Sequence, residues 1–452
     1  MIRLSLLLLV VFTLTSCVSS ALSAADKTKT ITLSRAEYRD SLYGFWLGQC
    51  IANWTGLVTE MDKIGNIGEL KTGEFYTRND WGKADQPSIW GQGIPSNLSA
   101  TIDFVTVKPD GIWGSDDDTD IEYIYQYLLK NSESVLLTSE QIRTGWMTHI
   151  YSAAEPTPFG RDPEGNYENF LWVSNQKALD LMYEGVLPPL TGSQSLNPHY
   201  DMIDAQLTTE IFGFFAPARP DVALQLSDLP VRTVADKEAA DIARFYITLY
   251  SLASAVDKTR PMSERVKWMA EQARKQLPDD QYPAAMYDFV KKLYLANTPW
   301  EKTRDAIYQR YQVEQMDGYT ITSRNLYCNG CFAAGINFAA SLVSLFYGEG
   351  DLKETIKIGA LMGWDSDNPT ATWGGLLGFM YGKKGIEDAF EKTFSNQFNI
   401  HRTRKNFPDN GINTFENMAE DGVAIVDKVV VQLMGGRIDV EQDNWIIPVT
   451  KN

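Results

Sequence analysis

From Leu33 onward, apolar and polar residues follow mainly a helical period. Apolar positions recur at i, i+3, i+4 and i+7 through 119–131, 138–152, 236–256, 262–277, 280–297, 332–348, 370–382 and 413–434, and each run predicts a helix with one buried face. Strand-like alternation is scarce; TIDFV at 101–105 and WIIPV at 445–449 are the best short candidates. Two stretches break the period. Residues 68–113, with NDWGKADQPSIWGQGIPSN, and 153–172, with EPTPFGRDPEGNYENF, read as long loops, which in compact domains often carry function. There is no internal repeat and no low-complexity tract. The pattern predicts one mainly helical domain over 31–452.

The N-terminus follows another pattern. MIRLSLLLLVVFTLTSC joins one arginine to a short apolar run and Leu14-Thr15-Ser16-Cys17. That order predicts a lipoprotein signal over 1–16, lipidation at Cys17 and a short tether over 17–30. The mature chain is then expected in a bacterial cell envelope, periplasmic or outer-membrane, touching the membrane only through its lipid. An ordinary signal peptide is the alternative. Polar residues follow too soon for a transmembrane span.

Composition narrows the classes. The chain is 44% hydrophobic and 12% aromatic, which excludes global disorder. Its net charge of −17 argues against nucleic acid as a partner, because phosphate binding needs basic surface. Cys50, Cys328 and Cys331 remain beyond the N-terminal segment. CNGC is able to close a small disulfide in an oxidising compartment. With only three histidines, no ordinary zinc site is expected.

Candidate chemistry sits in two acidic knots. In GSDDDTDIEYIY the apolar period predicts a helix beginning near Thr119, just after Asp116, Asp117 and Asp118. One aspartate there is an ordinary N-cap, favoured by the helix dipole. Capping does not explain Asp116, Asp117, Asp118 and Asp120 together, since neighbouring like charges repel. GWDSDNPTATWGGLLG repeats the arrangement: Asp365 and Asp367 precede Asn368-Pro369, which read as N-cap and first helical residue. Brought together, the knots offer hard oxygen ligands suited to Mg²⁺ or Ca²⁺. Gly374, Gly378 and Gly382 share one helix face, as do Gly44, Gly48 and Ala52, so two helices are expected to approach closely. The first of these helices leads toward Glu60. Trp54, Trp113, Trp364 and Trp373 lie near the motifs; core packing is the commoner role of such residues, and Trp113 and Trp364 are the better candidates for a substrate wall.

On these motifs the chain resembles the ADP-ribosylglycohydrolase family, and most the bacterial variant with a long first motif. Gly44, Gly48, Gly56 and Glu60 match the first motif, Asp117-Asp118-Thr119-Asp120 the second, and Gly363, Asp365, Asp367 and Gly374 the third. The segments GVLPPLTGSQSLN and MIDAQLTTEIFGFFAPARPDVALQLS resemble the family's connections. The resemblance implies an all-α fold and a site for two Mg²⁺ ions, or another divalent metal, held by Asp116, Asp117, Asp118, Asp365, Asp367 and Asn368. It implies glycosidic hydrolysis, with the catalytic carboxylate among Glu60, Asp117, Asp118 and Asp367. Asn53 and Asp120 join Trp113 and Trp364 as expected substrate contacts. The implied partner is a small sugar, a glycan or an ADP-ribosyl group, with Arg324 as a cation for a pyrophosphate. A non-catalytic sugar-binding relative is the third reading.

Overall fold

The computed structural model describes residues 29–91, 93–161, 165–320, 328 and 330–449. Cys17, the signal segment, all of the tether before residue 29, and Arg324 lie outside the described residues. The architecture is mostly helical. Fifteen α-helices are described, and two three-stranded sheets sit at the margins.

The centre is a pair of long helices, α1 (Arg35–Gly56) and α14 (Asp367–Phe390), the second kinked at Gly382, whose φ of 68° breaks the helix beyond Gly374 and Gly378. Their glycines meet face to face. A Cβ on Gly44 would stand 2.2 Å from the Gly378 carbonyl oxygen, one on Gly48 2.3 Å from that of Gly374, and one on Gly56 2.3 Å from Cα of Asp367. The small-residue stripes therefore serve backbone-to-backbone packing, as the sequence predicts. α15 (Phe415–Gln432) packs on α1, and α13 (Leu352–Ala360) on α14. α12 (Ala334–Gly348) is buried almost all round and packs on α10 (Tyr282–Leu295), α13 and α14. An aromatic seam fills the interior: Phe214 stacks on Phe379 at 4.0 Å and 12°, beside Tyr250 and Phe45. Among the described residues no helix is long and apolar enough to cross a membrane.

The eight periodic segments are helical with shifted ends. Helix α2 spans Asp117–Asn131, α3 Ser139–His149, α8 Lys237–Leu252 and α9 Met262–Ala273. Strand β6 (Asn444–Pro448) forms where WIIPV predicts one. It pairs antiparallel with β1 (Thr30–Ser34), so residue 30 belongs to the domain and not to a tether. TIDFV is no strand; Thr101 makes one isolated bridge, to Ala84, within the long loop. The second sheet joins β2 (Trp113–Gly114), β3 (Gln397–Asn399) and β4 (Ile412–Thr414), and its parallel β2–β3 pair leads the chain into α2. Cys328 and Cys331 are joined as a disulfide, and Cys50 is free and buried.

Candidate metal centre

Two helix starts deliver the acids. Asp116 is the N-cap of α2, and its backbone N–H donates to Thr119 Oγ1 at 3.0 Å. Thr119 is thus spent on closing the first turn, while Ser115 faces away, bonded to Ile400 and Thr403. Helix α14 begins at Asp367 with Ser366 as N-cap, two residues before the expected junction. Pro369 still falls in the first turn, where a missing N–H removes no intrahelical bond. Ser366 Oγ donates to the Gly56 carbonyl at 3.2 Å, fastening the start of α14 to the end of α1.

The knots converge. One oxygen each from Asp116, Asp117, Asp118 and Asp367 lies within 4.8 Å of the others, and Glu60, Asp365 and Asp367 form a second group by the same measure. Asp367 belongs to both groups. Burial first, and then neighbouring carboxylates, push Glu60, Asp117, Asp118 and Asp365 well above the usual carboxylate range. Asp367 is raised to about 7 by burial and then by Asp116. Such a cluster opposes its own ionisation and calls for a cation. Two buried oxygens support that conclusion: Asp367 Oδ1 and Asn53 Oδ1 have no hydrogen-bond partner among the described residues. Hard carboxylate donors with unspent buried oxygens fit a divalent metal.

Asn53 does not reach outward to a substrate. Its Nδ2 donates to Asp118 Oδ2 at 3.0 Å and toward Asp116 Oδ2 at 3.3 Å, so it aligns the acids. Three further expectations require correction. Trp113 and Trp364 are fully buried, with indole N–H groups donating to Ser395 O at 3.0 Å and Gln312 Oε1 at 2.6 Å; both are core, not substrate wall. Asp120 is also fully buried, and its Oδ2 pairs with Arg404 at 2.9 Å and accepts from Thr403 Oγ1 at 2.6 Å, so its charge is spent on the interior and not on a substrate. Asn368, expected as an oxygen ligand, turns its Nδ2 to Asp118 Oδ1 at 3.0 Å and its Oδ1 to Gln206 at 2.9 Å.

The Asp120–Arg404 pair yields a direct test. Arg404→Leu strands a buried carboxylate and is expected to destabilise the protein by about 3–5 kcal/mol. Adding Asp120→Asn should recover part of that loss. Urea unfolding midpoints measure both, and a wild-type midpoint for Arg404→Leu would refute the assignment.

The sequence reading missed two residues at the mouth of the cluster. A cavity of about 260 Å³ is lined by Glu60, Asp62, Ser88, Trp90, Asp116 and Arg402, among others. Arg402 Nη1 donates to Ser115 O at 2.7 Å and Asp116 Oδ1 at 3.1 Å, with its guanidinium 4.6 Å from the Trp54 ring. Trp90 lies nearly parallel to Trp172 and Phe332, each 5.8 Å away. The long loop 68–113 marked the region of Trp90. No local signal marked Arg402, which arrives from the far end of the chain.

The family model described as ADP-ribosylglycohydrolase matches residues 34–410. A solved structure titled "ADP-ribosylglycohydrolase-related protein complex" matches with 16% identity over 86% of this chain and 98% of its own, at a TM-score of 0.44. No curated protein matches. The family match spans all three acidic motifs and most of the helical domain, and the chain belongs to the ADP-ribosylglycohydrolase family of hydrolases.

Proposed function

We propose that the protein is a metal-dependent hydrolase of a glycosidic bond, using Mg²⁺ or another divalent cation such as Ca²⁺ on an extracytoplasmic glycan or glycoside. The observation that carries this reading is the meeting of both acidic helix starts with Glu60 beside one cavity. Asp116, Asp117, Asp118, Asp365 and Asp367 would hold the metal. Bound there, it would supply charge to orient sugar hydroxyls and a water. Glu60 stands on the cavity wall, and a cation that offsets the neighbouring carboxylates would favour its ionised form, so it is the carboxylate best placed to take a proton from that water. Loop residues around Trp90 shape the space for the sugar. The acidic lining of Glu60, Asp62 and Asp116 suits a neutral glycoside.

A second reading, removal of an ADP-ribosyl group, is favoured by Arg402, a guanidinium at the cavity wall able to face a pyrophosphate. Incubating the purified protein with Mg²⁺, or with chelator, against a glycan panel and ADP-ribosyl peptides separates the readings. Metal-dependent release of reducing sugar supports the first, and release of ADP-ribose supports the second. Metal binding with no turnover of either class would indicate a sugar-binding relative.

The extracytoplasmic address rests on the N-terminal pattern, and the Cys328–Cys331 disulfide supports it, since oxidising compartments preserve such bonds. Cys17→Ala is expected to abolish fatty-acid incorporation and release the protein from the membrane fraction. Equal labelling of the variant and the wild type would refute lipidation at Cys17.

A further inference from the structure

Behind the carboxylate cluster lies a buried chain of hydrogen bonds that starts outside the acidic motifs and ends on Asp118. It begins at Glu210, just past α5 (Asp204–Thr209). Thr372 Oγ1 donates to Glu210 Oε1 at 2.6 Å, and Tyr250 Oη stands 2.9 Å from Glu210 Oε2 and 2.7 Å from the Thr372 carbonyl oxygen. Gln206 Nε2 stands 3.2 Å from Glu210 Oε1, 2.9 Å from Thr372 Oγ1 and 2.9 Å from Asn368 Oδ1. Asn368 Nδ2 then stands 3.0 Å from Asp118 Oδ1. Glu210, Asn368 and Thr372 are each 1% exposed and Gln206 2%.

Amide orientations have to be deduced from such a network. Here the donors decide them in order. Glu210 accepts the Thr372 proton, so the Thr372 oxygen is left to accept. The Gln206 atom facing both Thr372 and Glu210 must then be its NH₂ group. That NH₂ also faces Asn368, so the facing Asn368 atom must be the oxygen. The Asn368 nitrogen is therefore the atom presented to Asp118.

We infer that Gln206 and Glu210 are positioning residues of the metal centre, holding Asn368 as a hydrogen-bond donor to Asp118 and keeping its oxygen out of the coordination sphere. Asn53 grips the other oxygen of Asp118 at 3.0 Å, so that carboxylate is clamped between two amides. Each carboxylate oxygen retains a further lone pair toward the cluster. This inference rests on the metal-dependent reading above.

The test uses Mn²⁺ as the probe, with the intact folded protein. Gln206→Met removes the relay at similar volume. Partners of this kind tune metal affinity by about 10–100-fold, and a loss in that range is expected by calorimetric titration. A merely structural Gln206 would lower the metal-free melting temperature and leave the affinity of the folded protein unchanged; that result would overturn the inference. A Mn²⁺-soaked crystal of the wild type decides the case even if Gln206→Met does not fold. The expected structure has Asp118 on the ion and Asn368 Nδ2 still on Asp118. Asn368 Oδ1 at about 2–2.5 Å from the ion would overturn the inference and leave metal binding intact. A wild type that binds no Mn²⁺ would overturn both this inference and the proposed function.

Discussion

Asp367→Asn is expected to raise the melting temperature of the metal-free protein while removing most of its activity. Asp367 is the carboxylate shared by the two groups, and it is raised to about 7 by burial and by Asp116. Without a cation, ionising it places a charge in a buried site beside Asp116. Neutralising it should stabilise the metal-free fold by on the order of 1–3 kcal/mol. Metal reverses the ranking, because it stabilises the folded state by mass action, by about 2.7 kcal/mol at a hundred times its dissociation constant. The wild type should gain several degrees with Mg²⁺ or Ca²⁺ and the variant much less. Turnover should fall about a hundredfold or more, since several kcal/mol of charge stabilisation depend on the lost ligand.

The pH dependence has a definite sign. A carboxyl raised from 3.8 when unfolded to about 7 when folded holds its proton more tightly in the native state. Its contribution to stability is full below about pH 4 and is lost as pH rises toward 7. Metal-free wild type should therefore lose stability across that window more steeply than Asp367→Asn. Melting curves of both proteins, with chelator and with metal, test the whole argument. Superimposed curves under all conditions would reduce Asp367 to a helix-start residue, where Asn serves about as well as Asp.

The second large effect concerns the glycine seam. Gly48→Val should unfold the protein or cost more than about 3 kcal/mol, because the new side chain meets the Gly374 carbonyl and no rotamer avoids a contact made at Cβ. Gly56→Ala is the more informative change. Its Cβ would lie 2.3 Å from Cα of Asp367, so relief requires moving that residue's backbone. Calorimetry should show metal affinity falling beyond what the melting temperature accounts for. Gly44→Ala, which meets Gly378 at the other end of the seam, should lower stability and spare metal affinity. Equal affinities for the two alanine variants would mean that the seam does not set the ligand geometry.

How far the sequence revealed these features depended on periodicity. The long helices were legible because a single buried face imposes a 3.6-residue repeat, and the acidic knots were legible because capping left several aspartates unexplained. Helix α5 was not legible: all six of its residues are buried and it is too short to show a period, so Gln206 and the adjoining Glu210 looked like a connecting segment. Helix α7 (Pro220–Val231) begins and nearly ends in proline, which hides it among loop signals. Asp120 resembled its neighbours in sequence, but one step further along α2 turns it into the interior, where Arg404 waits. Trp113 and Trp364 show the same limit: nearness in sequence to a ligand does not say which way an indole points. Arg402 joins the site through tertiary contacts made from almost 300 residues away, and composition carries no trace of them.

The pairing of β1 with β6 sets an order of assembly. Thr30 lies opposite Pro448, and Arg35 at the start of α1 bonds both Asp427 and Asp443. The helix that carries the first motif is thus anchored by a segment synthesised after every acidic ligand. Until residues 444–448 arrive, β1 is an edge without its partner, and α1 lacks the clamp at its N-terminal end. A chain that stops before that point keeps every acidic ligand and is still expected to mature poorly, because the early part of the domain waits on the late part to close.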